Sequence, residues 1–247
     1  MLSPSDLITL KNKYDVWILE DSCHSPGASF NDGEQIFRAG DGKYADCSIF
    51  SFHPVKHIAT GEGGMITTSN EDIFKKSQLL RSHGITKDPN ILVENHGGWY
   101  YEMQDLGYNY RISDIQCALG ISQLNRLSES IEKRNIIAKK YKKELSSLPI
   151  RFQEFNNNYN NAYHLFVLRT SKRKALYDYL RTKGIFTQVH YIPVHLSPYY
   201  KRLGWTKGDL PNAETYYEEC LSLPMFPSLK EEEINHVIES VKQFFHE

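Results

Sequence analysis

The residues best suited to chemistry lie in one short stretch, residues 48–68, which reads SIFSFHPVKHIATGEGGMITT. Lys56 occupies a turn rich in glycine and proline between two apolar runs, 49–52 and 65–66, which we expect to be buried strands. Lysine is usually exposed and well hydrated, so a solvated side chain is one interpretation. The other is an amine in a shielded site that forms a Schiff base, a role that requires a lysine with a lowered pKa.

Two further polar side chains could act together with this lysine. Ser51 precedes Lys56 by five residues and offers a hydroxyl group to an anion. Asp21 follows the apolar run 17–19 and stands where a strand would end, which is the usual place for a site residue in an α/β sheet. On position alone, an aspartate such as Asp21 more often caps a turn, and Ser51 could be a buried serine bonded to the backbone.

These side chains belong to four ordered motifs: EDSCH at 20–24, SFHPVK at 51–56, GEGG at 61–64 and LGYNYR at 106–111. Together the motifs resemble the signature set of the DegT/StrS family of pyridoxal-phosphate-dependent nucleotide-sugar aminotransferases, and the resemblance extends along the whole chain. It implies an α/β fold of the PLP-dependent transferase class, aspartate aminotransferase-like, fold type I. The large PLP-binding domain would end at residue 147, and a small C-terminal α/β domain would span 148–247. The stretch before the first motif is shorter than in the family pattern, so we expect a truncated large domain that lacks the Gly-Ser/Thr turn for the cofactor phosphate.

The resemblance also assigns roles to individual residues. Lys56 would be the catalytic lysine that holds the cofactor, pyridoxal 5′-phosphate (PLP), and then moves a proton. Asp21 would pair with the pyridinium nitrogen, His24 would bind the phenolic oxygen and Ser51 would bind the phosphate. One branch of the family carries histidine at the lysine position and dehydrates its substrate, and Lys56 argues against that branch.

Asn109 matches a family asparagine that reaches the cofactor phosphate of the neighbouring subunit. That match implies a homodimer with a shared active site, whereas on sequence alone a turn asparagine after Gly107 is equally plausible. Ser51 and Asn109 would also contact substrate. In the stretch GIFTQVHYIPV (184–194), the predicted substrate contacts are Gln188, Val189, His190 and Tyr191, although any half-buried strand shows a similar pattern.

The same stretch resembles a branch that aminates carbon 4 of UDP-4-keto-6-deoxy-N-acetyl-altrosamine on the way to pseudaminic acid. The amino donor would be an amino acid, usually glutamate in this family. Two alternatives remain open: amination of another nucleotide keto sugar, and a truncated, non-catalytic fragment that only associates with an intact subunit. A cofactor-binding regulator is disfavoured because the chain shows no attached effector domain.

Composition limits the other classes of function. The net charge is −1, which does not favour nucleic acid or an anionic membrane surface as a partner. No apolar run approaches the roughly 20 residues of a membrane span. The four cysteines are scattered, which is typical of reduced thiols in a cytoplasmic protein. The histidines show no metal-ligand spacing, so we expect no metal.

Hydrophobic periodicity and capping residues predict the elements that position these groups. The predicted helices span 5–14, 71–81, 113–127, 129–145, 172–183 and 213–220. Asn70 should cap the second of these, and Ser228 with Glu231 should form a capping box that opens a last helix. Further strands are expected at 15–19, 165–168 and 186–191, and residues 84–107 should form a long irregular loop.

Overall fold

The computed structural model describes residues 3–155 and 157–246. These residues form two compact units, of which the first runs to Leu127 and also contains Asn158–Asn160. The second unit starts at Ser128 and contains the rest of the described chain. The predicted domain boundary at residues 147 and 148 lies later than this division, because the long helix before it packs into the core of the second unit.

Eight α-helices are present in the described residues: α1 Pro4–Tyr14, α2 Glu71–Arg81, α3 Asp114–Leu124, α4 Leu127–Leu145, α5 Arg173–Thr182, α6 Pro198–Lys201, α7 Pro211–Glu219 and α8 Glu231–His246. The strands in the same residues are β1 Leu19–Asp21, β2 Ser29–Asn31, β3 Ile36–Arg38, β4 Cys47–Ser51, β5 Gly64–Thr67, β6 Ile85–Thr86, β7 Glu102–Met103, β8 Arg151–Phe152, β9 Tyr159–Asn160, β10 Phe166–Arg169 and β11 Cys220–Leu223. A 3-10 turn covers Val194–Leu196.

The first unit is organised around a three-stranded sheet in the order β1-β4-β5. β1 runs parallel to β4, and β4 runs antiparallel to β5. A second small sheet has the order β3-β2-β9, and β6 pairs with β7. Since the parallel strands β1 and β4 end at the same edge, the residues that follow them come together there.

Local capping explains where the helices of the first unit begin. The Asn70 side chain accepts hydrogen bonds from the N–H groups of Asp72 and Ile73, which confirms the predicted cap of α2. Ser113 and Gln116 form a reciprocal capping box at the start of α3. Each side chain thereby satisfies a backbone N–H that has no partner within its helix.

Three expectations for the first unit were wrong in detail. The strand predicted at 15–19 lies instead at Leu19–Asp21, because Asp15 adopts a left-handed conformation (φ 48°) that ends α1. Met65 and Ile66 do lie on a strand, but they are 53% and 51% exposed, because successive side chains point to opposite faces and the described residues leave both faces of β5 largely uncovered there. The loop expected at 84–107 is partly ordered by the pairing of β6 with β7.

The second unit holds the main hydrophobic core, which packs α4, α5 and α8 against the sheet β11-β10-β8. The buried core residues are Ile137, Ala138, Tyr141, Leu145, Leu148, Phe166, Leu168, Leu176, Leu180, Ile185, Leu221, Leu223, Ile234, Val237, Ile238 and Val241. In the sequence, the last helix carries apolar residues at helical spacing, which predicts a buried stripe of Ile234, Val237, Ile238, Val241 and Phe244. The first four are in this core set, which confirms the prediction for them. Because α4 contributes four residues to this core, it belongs to the second unit rather than the first.

Three expectations for the second unit need correction. The strand predicted at 186–191 reduces to a single bridge between Gln188 and Ser222. The helix predicted at 213–220 ends at Glu219, and strand β11 follows it directly. The last helix is not opened by the predicted Ser228 box, because the Lys230 N–H donates to the Glu233 carboxylate (2.7 Å) one turn later.

Candidate active site

Asp21 is carried to the sheet edge by the pairing of β1 with β4. Asp21 lies opposite Ile49, and the next N–H, that of Ser22, donates to the Ile49 carbonyl (2.9 Å). The neighbouring Cys23 thiol and a hydrogen bond from the Cys23 N–H (3.1 Å) lower the pKa of the Asp21 carboxyl, and the electrostatic influence of His24 and Lys56 lowers it further. The site therefore holds a carboxylate that is ionised at neutral pH.

Glu20 points to the opposite face of β1, because successive side chains of a strand alternate. Its carboxylate accepts hydrogen bonds from the Tyr44 hydroxyl, the Ser48 hydroxyl (2.5 Å) and the Gly40 N–H (2.9 Å). Burial, together with the contact to Glu20, raises the pKa of the Tyr44 phenol. Glu20 thus anchors the strand that presents Asp21.

Lys56 lies in the connection between β4 and β5. Main-chain hydrogen bonds within this connection close it into a turn. The Phe52 N–H donates to the Gly63 carbonyl, and the Thr60 N–H donates to the Phe52 carbonyl, both at 2.9 Å. A side chain at Gly63 would place its Cβ 2.7 Å from the Thr60 hydroxyl oxygen, so glycine is required there. Lys56 is half-buried on this closed turn, with its charge close enough to Asp21 to lower the pKa of that carboxyl.

Ser51 and His24 complete the group at this sheet edge. Ser51 is the last residue of β4, and its hydroxyl oxygen accepts a weak hydrogen bond from the His53 N–H (3.4 Å). His24 is exposed and follows Asp21 by three residues. The structure therefore places four predicted site residues in one part of the first unit, at or after the ends of β1 and β4: Asp21, His24, Ser51 and Lys56. Their individual roles remain predictions.

This donor set suits pyridoxal phosphate on chemical grounds. A carboxylate of lowered pKa can form an ion pair with a protonated ring nitrogen, and a lysine amine can form a Schiff base with an aldehyde carbon. The lysine here is held on a closed turn. An imidazole and a hydroxyl remain for the phenolic oxygen and the phosphate. The residues present therefore fit the cofactor.

Asn109 is positioned by a different part of the first unit, at the base of the loop between α2 and α3. It pairs with Ser82, the residue that ends α2, in an isolated β-bridge. Beside this bridge the main chains of Gly84 and Gly107 touch, and a Cβ on Gly107 would lie 2.1 Å from the Gly84 nitrogen. The asparagine is thus fixed by a backbone crossing that only glycine permits.

Gly107→Ala should destabilise this crossing by about 2 kcal/mol, because the added methyl group meets backbone atoms that cannot move independently. Hydrogen exchange of the Gln104 and Tyr108 amides, which close the loop at 2.7 and 2.6 Å, would measure the loss. Gly98→Ala is the matched control, since nothing lies within 4 Å of a Cβ at that position. Equal protection in both variants would contradict the predicted clash.

The four predicted substrate residues lie in the second unit. Gln188 is exposed and exchanges main-chain hydrogen bonds with Ser222, whereas Val189 is half-buried and packs against the core. The His190 ring contacts the Ser222 hydroxyl at Nδ1 (2.7 Å), and the exposed Tyr191 ring packs edge-on against it. Their contact with substrate remains a prediction.

Sequence reasoning missed the supporting residues Glu20, Cys23 and Ser222. The signal for Glu20 was available, since strand alternation places it on the face opposite Asp21. The hydrogen bond from Cys23 to Asp21 spans two residues, as in an Asx-turn. The contact between Ser222 and His190 joins residues far apart in sequence, and no local pattern indicates it.

Neither a metal site nor a membrane span is found in the described residues. Within 3–155 and 157–246, no group of three or more His, Cys, Asp or Glu side chains is arranged to hold a metal ion. In the same residues no helix is long and apolar enough to cross a membrane.

The class is defined by a parallel strand pair that has an acid as the last residue of its first strand and a lysine after its second, followed by a small α/β unit. It is the PLP-dependent transferase fold, type I. The family model described as "DegT/DnrJ/EryC1/StrS aminotransferase family" matches residues 5–242, and the chain belongs to that family.

Individual relatives agree with this assignment. The chain is 38% identical over 226 residues to the UDP-4-amino-4,6-dideoxy-N-acetyl-beta-L-altrosamine transaminase of Campylobacter jejuni, covering 89% of this chain and 56% of that protein. Helicobacter pylori PseC, an aminotransferase involved in the biosynthesis of pseudoaminic acid, superposes with a TM-score of 0.84 at 29% identity, over 100% of this chain and 64% of that one. The PLP form of Spr1654 from Streptococcus pneumoniae gives a TM-score of 0.82 at 28% identity, over 96% and 60%. The chain spans between 56% and 63% of the length of the first curated relatives that it matches.

Asp21→Asn should weaken PLP binding about ten- to hundredfold, because it would remove the charge-assisted hydrogen bond predicted between Asp21 and the ring nitrogen, and such bonds contribute about 1.5–3 kcal/mol. Fluorescence titration with PLP would measure the dissociation constant. Asp72→Asn removes an acid from the exposed first turn of α2 and serves as the control. Unchanged affinity in Asp21→Asn would remove Asp21 from the cofactor site.

Proposed function

We propose that the protein carrying this chain transfers an amino group from glutamate to carbon 4 of a UDP-4-keto-6-deoxy-N-acetylated hexose in pseudaminic acid biosynthesis. The observation that carries this proposal is the position of Asp21 at the end of β1 and of Lys56 in the connection after β4, because these two strands are parallel neighbours in a chain of this family. The similarity of the chain to the C. jejuni transaminase and to PseC supports the choice of sugar.

The residues of the chain would divide the chemistry among them. When bound, PLP supplies an electron sink for the carbon that carries nitrogen. Lys56 would hold the cofactor through its Nζ and would later move the proton at that carbon. Asp21 would keep the ring nitrogen protonated, because an adjacent anion favours the charged form. His24 would orient the ring through its phenolic oxygen, and Ser51 would bind the phosphate.

The site would be completed by a second copy of the chain, with Asn109 reaching the partner's cofactor phosphate. The first unit exposes many large apolar side chains, which is typical of surfaces that become covered. Those on its central sheet and on α3 include Leu19, Met65, Ile66, Ile115, Leu119, Ile121 and Leu124. Sedimentation of the purified protein tests the dimer, and a monomer with full activity would contradict a shared site.

We place the reaction in the cytoplasm. All four cysteines, Cys23, Cys47, Cys117 and Cys220, are free thiols. Free thiols are typical of a reducing compartment. Fractionation of the cells that make the protein would test this assignment.

The function is tested by incubating the purified protein with PLP, glutamate and a panel of UDP-linked keto sugars, and by reading the products by mass spectrometry. Amination of the 4-keto-altrosamine derivative supports the full proposal. Amination of a different member of the panel would keep the enzyme class and change the substrate. Bound PLP without product would favour a non-catalytic binding partner, and absence of PLP binding would reject the proposal.

A further inference from the structure

The four predicted substrate residues begin a short segment of the second unit, residues 188–195, here called the substrate segment. Its first residue, Gln188, exchanges main-chain hydrogen bonds with Ser222, at 2.8 and 3.2 Å. Ser222 lies on β11, and β11 follows α7 directly along the chain. The start of the substrate segment is therefore fixed to the continuous element that α7 and β11 form.

The last residue of the substrate segment, His195, is fixed to the same element. The Nε2 atom of His195 lies 2.8 Å from Oε1 of Glu214, which is in the first turn of α7. Both side chains are buried, at 5% and 6% exposed, and the Trp205 ring lies edge-on to the imidazole. The substrate segment is thus attached to α7 and β11 at both of its ends.

The contact between His195 and Glu214 is a hydrogen bond from an imidazole to a carboxylate. Hydrogen bonds from His195 and from the Gly208 N–H (2.8 Å, to the same Oε1) lower the pKa of the Glu214 carboxyl. An ionised carboxylate only accepts hydrogen bonds, so the hydrogen of this bond belongs to Nε2 of His195. Because charge-assisted hydrogen bonds are strong and a buried group that loses its partner is destabilised, this pair should resist opening.

Between its fixed ends the substrate segment exposes apolar side chains. Tyr191 is 61% exposed, Ile192 is 51% exposed and Val194 is 63% exposed. These side chains are held through the backbone on either side of them rather than by burial. An exposed aromatic ring on a fixed backbone suits stacking against the flat base of a nucleotide.

We propose that His195 and Glu214 are positioning residues that fix the far end of the substrate segment and thereby hold Tyr191 in place for the base of a nucleotide sugar. Both residues are buried, so they act through the segment that they fix and not by touching the ligand. The choice of ligand rests on the proposed function, whereas the positioning role rests on contacts within the second unit alone.

Hydrogen exchange measured by NMR tests the positioning role. The amides of Leu196 and Ser197, which close the 3-10 turn at 2.9 and 3.0 Å, report on the far end of the substrate segment, and the Gln188 amide reports on the start. Glu214→Ala should make the first two exchange about tenfold faster or more and leave Gln188 unchanged, because the opening is local. Glu214→Gln should restore most of the protection, since its amide oxygen can accept both hydrogen bonds.

The matched control is Glu218→Ala, which removes an exposed carboxylate of α7 that pairs with Lys207 (3.3 Å) and should leave all three amides unchanged. Nitrogen-15 NMR of the wild type, assigned with His195→Gln, should show a proton on Nε2 of His195. This measurement decides the point even if Glu214→Ala fails to fold. An unprotonated Nε2, or equal exchange of the Leu196 and Ser197 amides in the wild type and Glu214→Ala, would overturn the inference.

Titration with UDP separates the positioning role from the proposed function. UDP should shift the ring signals of Tyr191 in the wild type, and Glu214→Ala should bind UDP about tenfold more weakly. A wild type that binds no UDP, together with faster exchange in Glu214→Ala, would reject the proposed substrate and support the positioning role. Equal UDP affinity of the wild type and Glu214→Ala would overturn the assignment of the ligand to this segment.

Discussion

Replacing Lys56 with alanine is expected to abolish the visible absorption band that the wild-type protein acquires with PLP. The side-chain amine is the group through which the chain would hold the cofactor, and alanine offers nothing that can bond to an aldehyde carbon. Asp21, His24 and Ser51 would remain, so weak non-covalent binding should persist while the band is lost completely. Absorption spectra recorded after gel filtration measure the effect.

The matched controls separate the covalent role of Lys56 from its charge. Lys75→Ala removes an exposed lysine of the same unit, one that pairs with Glu71 (2.7 Å), and should keep the band. Lys56→Arg keeps the positive charge beside Asp21 and should lose the band as fully as the alanine variant. A band that survives in either Lys56 variant would assign the cofactor to another amine.

The second large effect is expected from Arg134→Met, which should lower the free energy of unfolding of the second unit by about 3 kcal/mol. Arg134 is 5% exposed, and its guanidinium donates to three main-chain carbonyls. These belong to Tyr163 (2.9 Å), His164 (3.3 Å) and Met225 (3.0 Å). Methionine fills a similar volume but leaves the carbonyls without this donor, and each buried unsatisfied polar group costs about 1–3 kcal/mol.

Thermal and urea unfolding measure this loss. Arg202→Met changes an exposed arginine of the same unit and should alter stability by less than about 0.5 kcal/mol. Arg134→Lys should give an intermediate loss, because an ammonium group keeps the charge but cannot reproduce the planar fork. A stable Arg134→Met variant would mean that the carbonyls find other donors when the guanidinium is removed.

Local signals in the sequence predicted much of the first unit. Asn70 and Ser113 mark helix starts because a cap depends on residues within one turn, and both are confirmed. Asp21 was expected where a strand ends, and it is the last residue of β1, whose parallel neighbour β4 ends at the same sheet edge. In the second unit the stripe of α8 was readable from its helical period.

What the sequence could not predict depends on contacts between distant segments. β11 was not predicted, and its first residue, Cys220, was assigned to the end of a helix, because the pairing of β11 with β10 is long-range and leaves no local signal. The segment 186–191 alternates like a strand, but among the described residues its only β-bridge is the one between Gln188 and Ser222. Similarly, the apolar character of Met65 and Ile66 predicted burial, whereas their exposure depends on which distant segments cover the two faces of β5.

The contact between Gly84 and Gly107 has a consequence for how the family sequence can vary. This crossing and the β6–β7 pair hold the two ends of the loop together, so residues 87–101 form a loop whose ends are fixed to the unit. The entropy of closing such a loop grows only slowly with its length, by about 0.6 kcal/mol for each doubling. Residues 87–101 can therefore be exchanged for segments of other lengths at little cost, and the two glycines make this loop a natural position for grafting new recognition sequences beside Asn109.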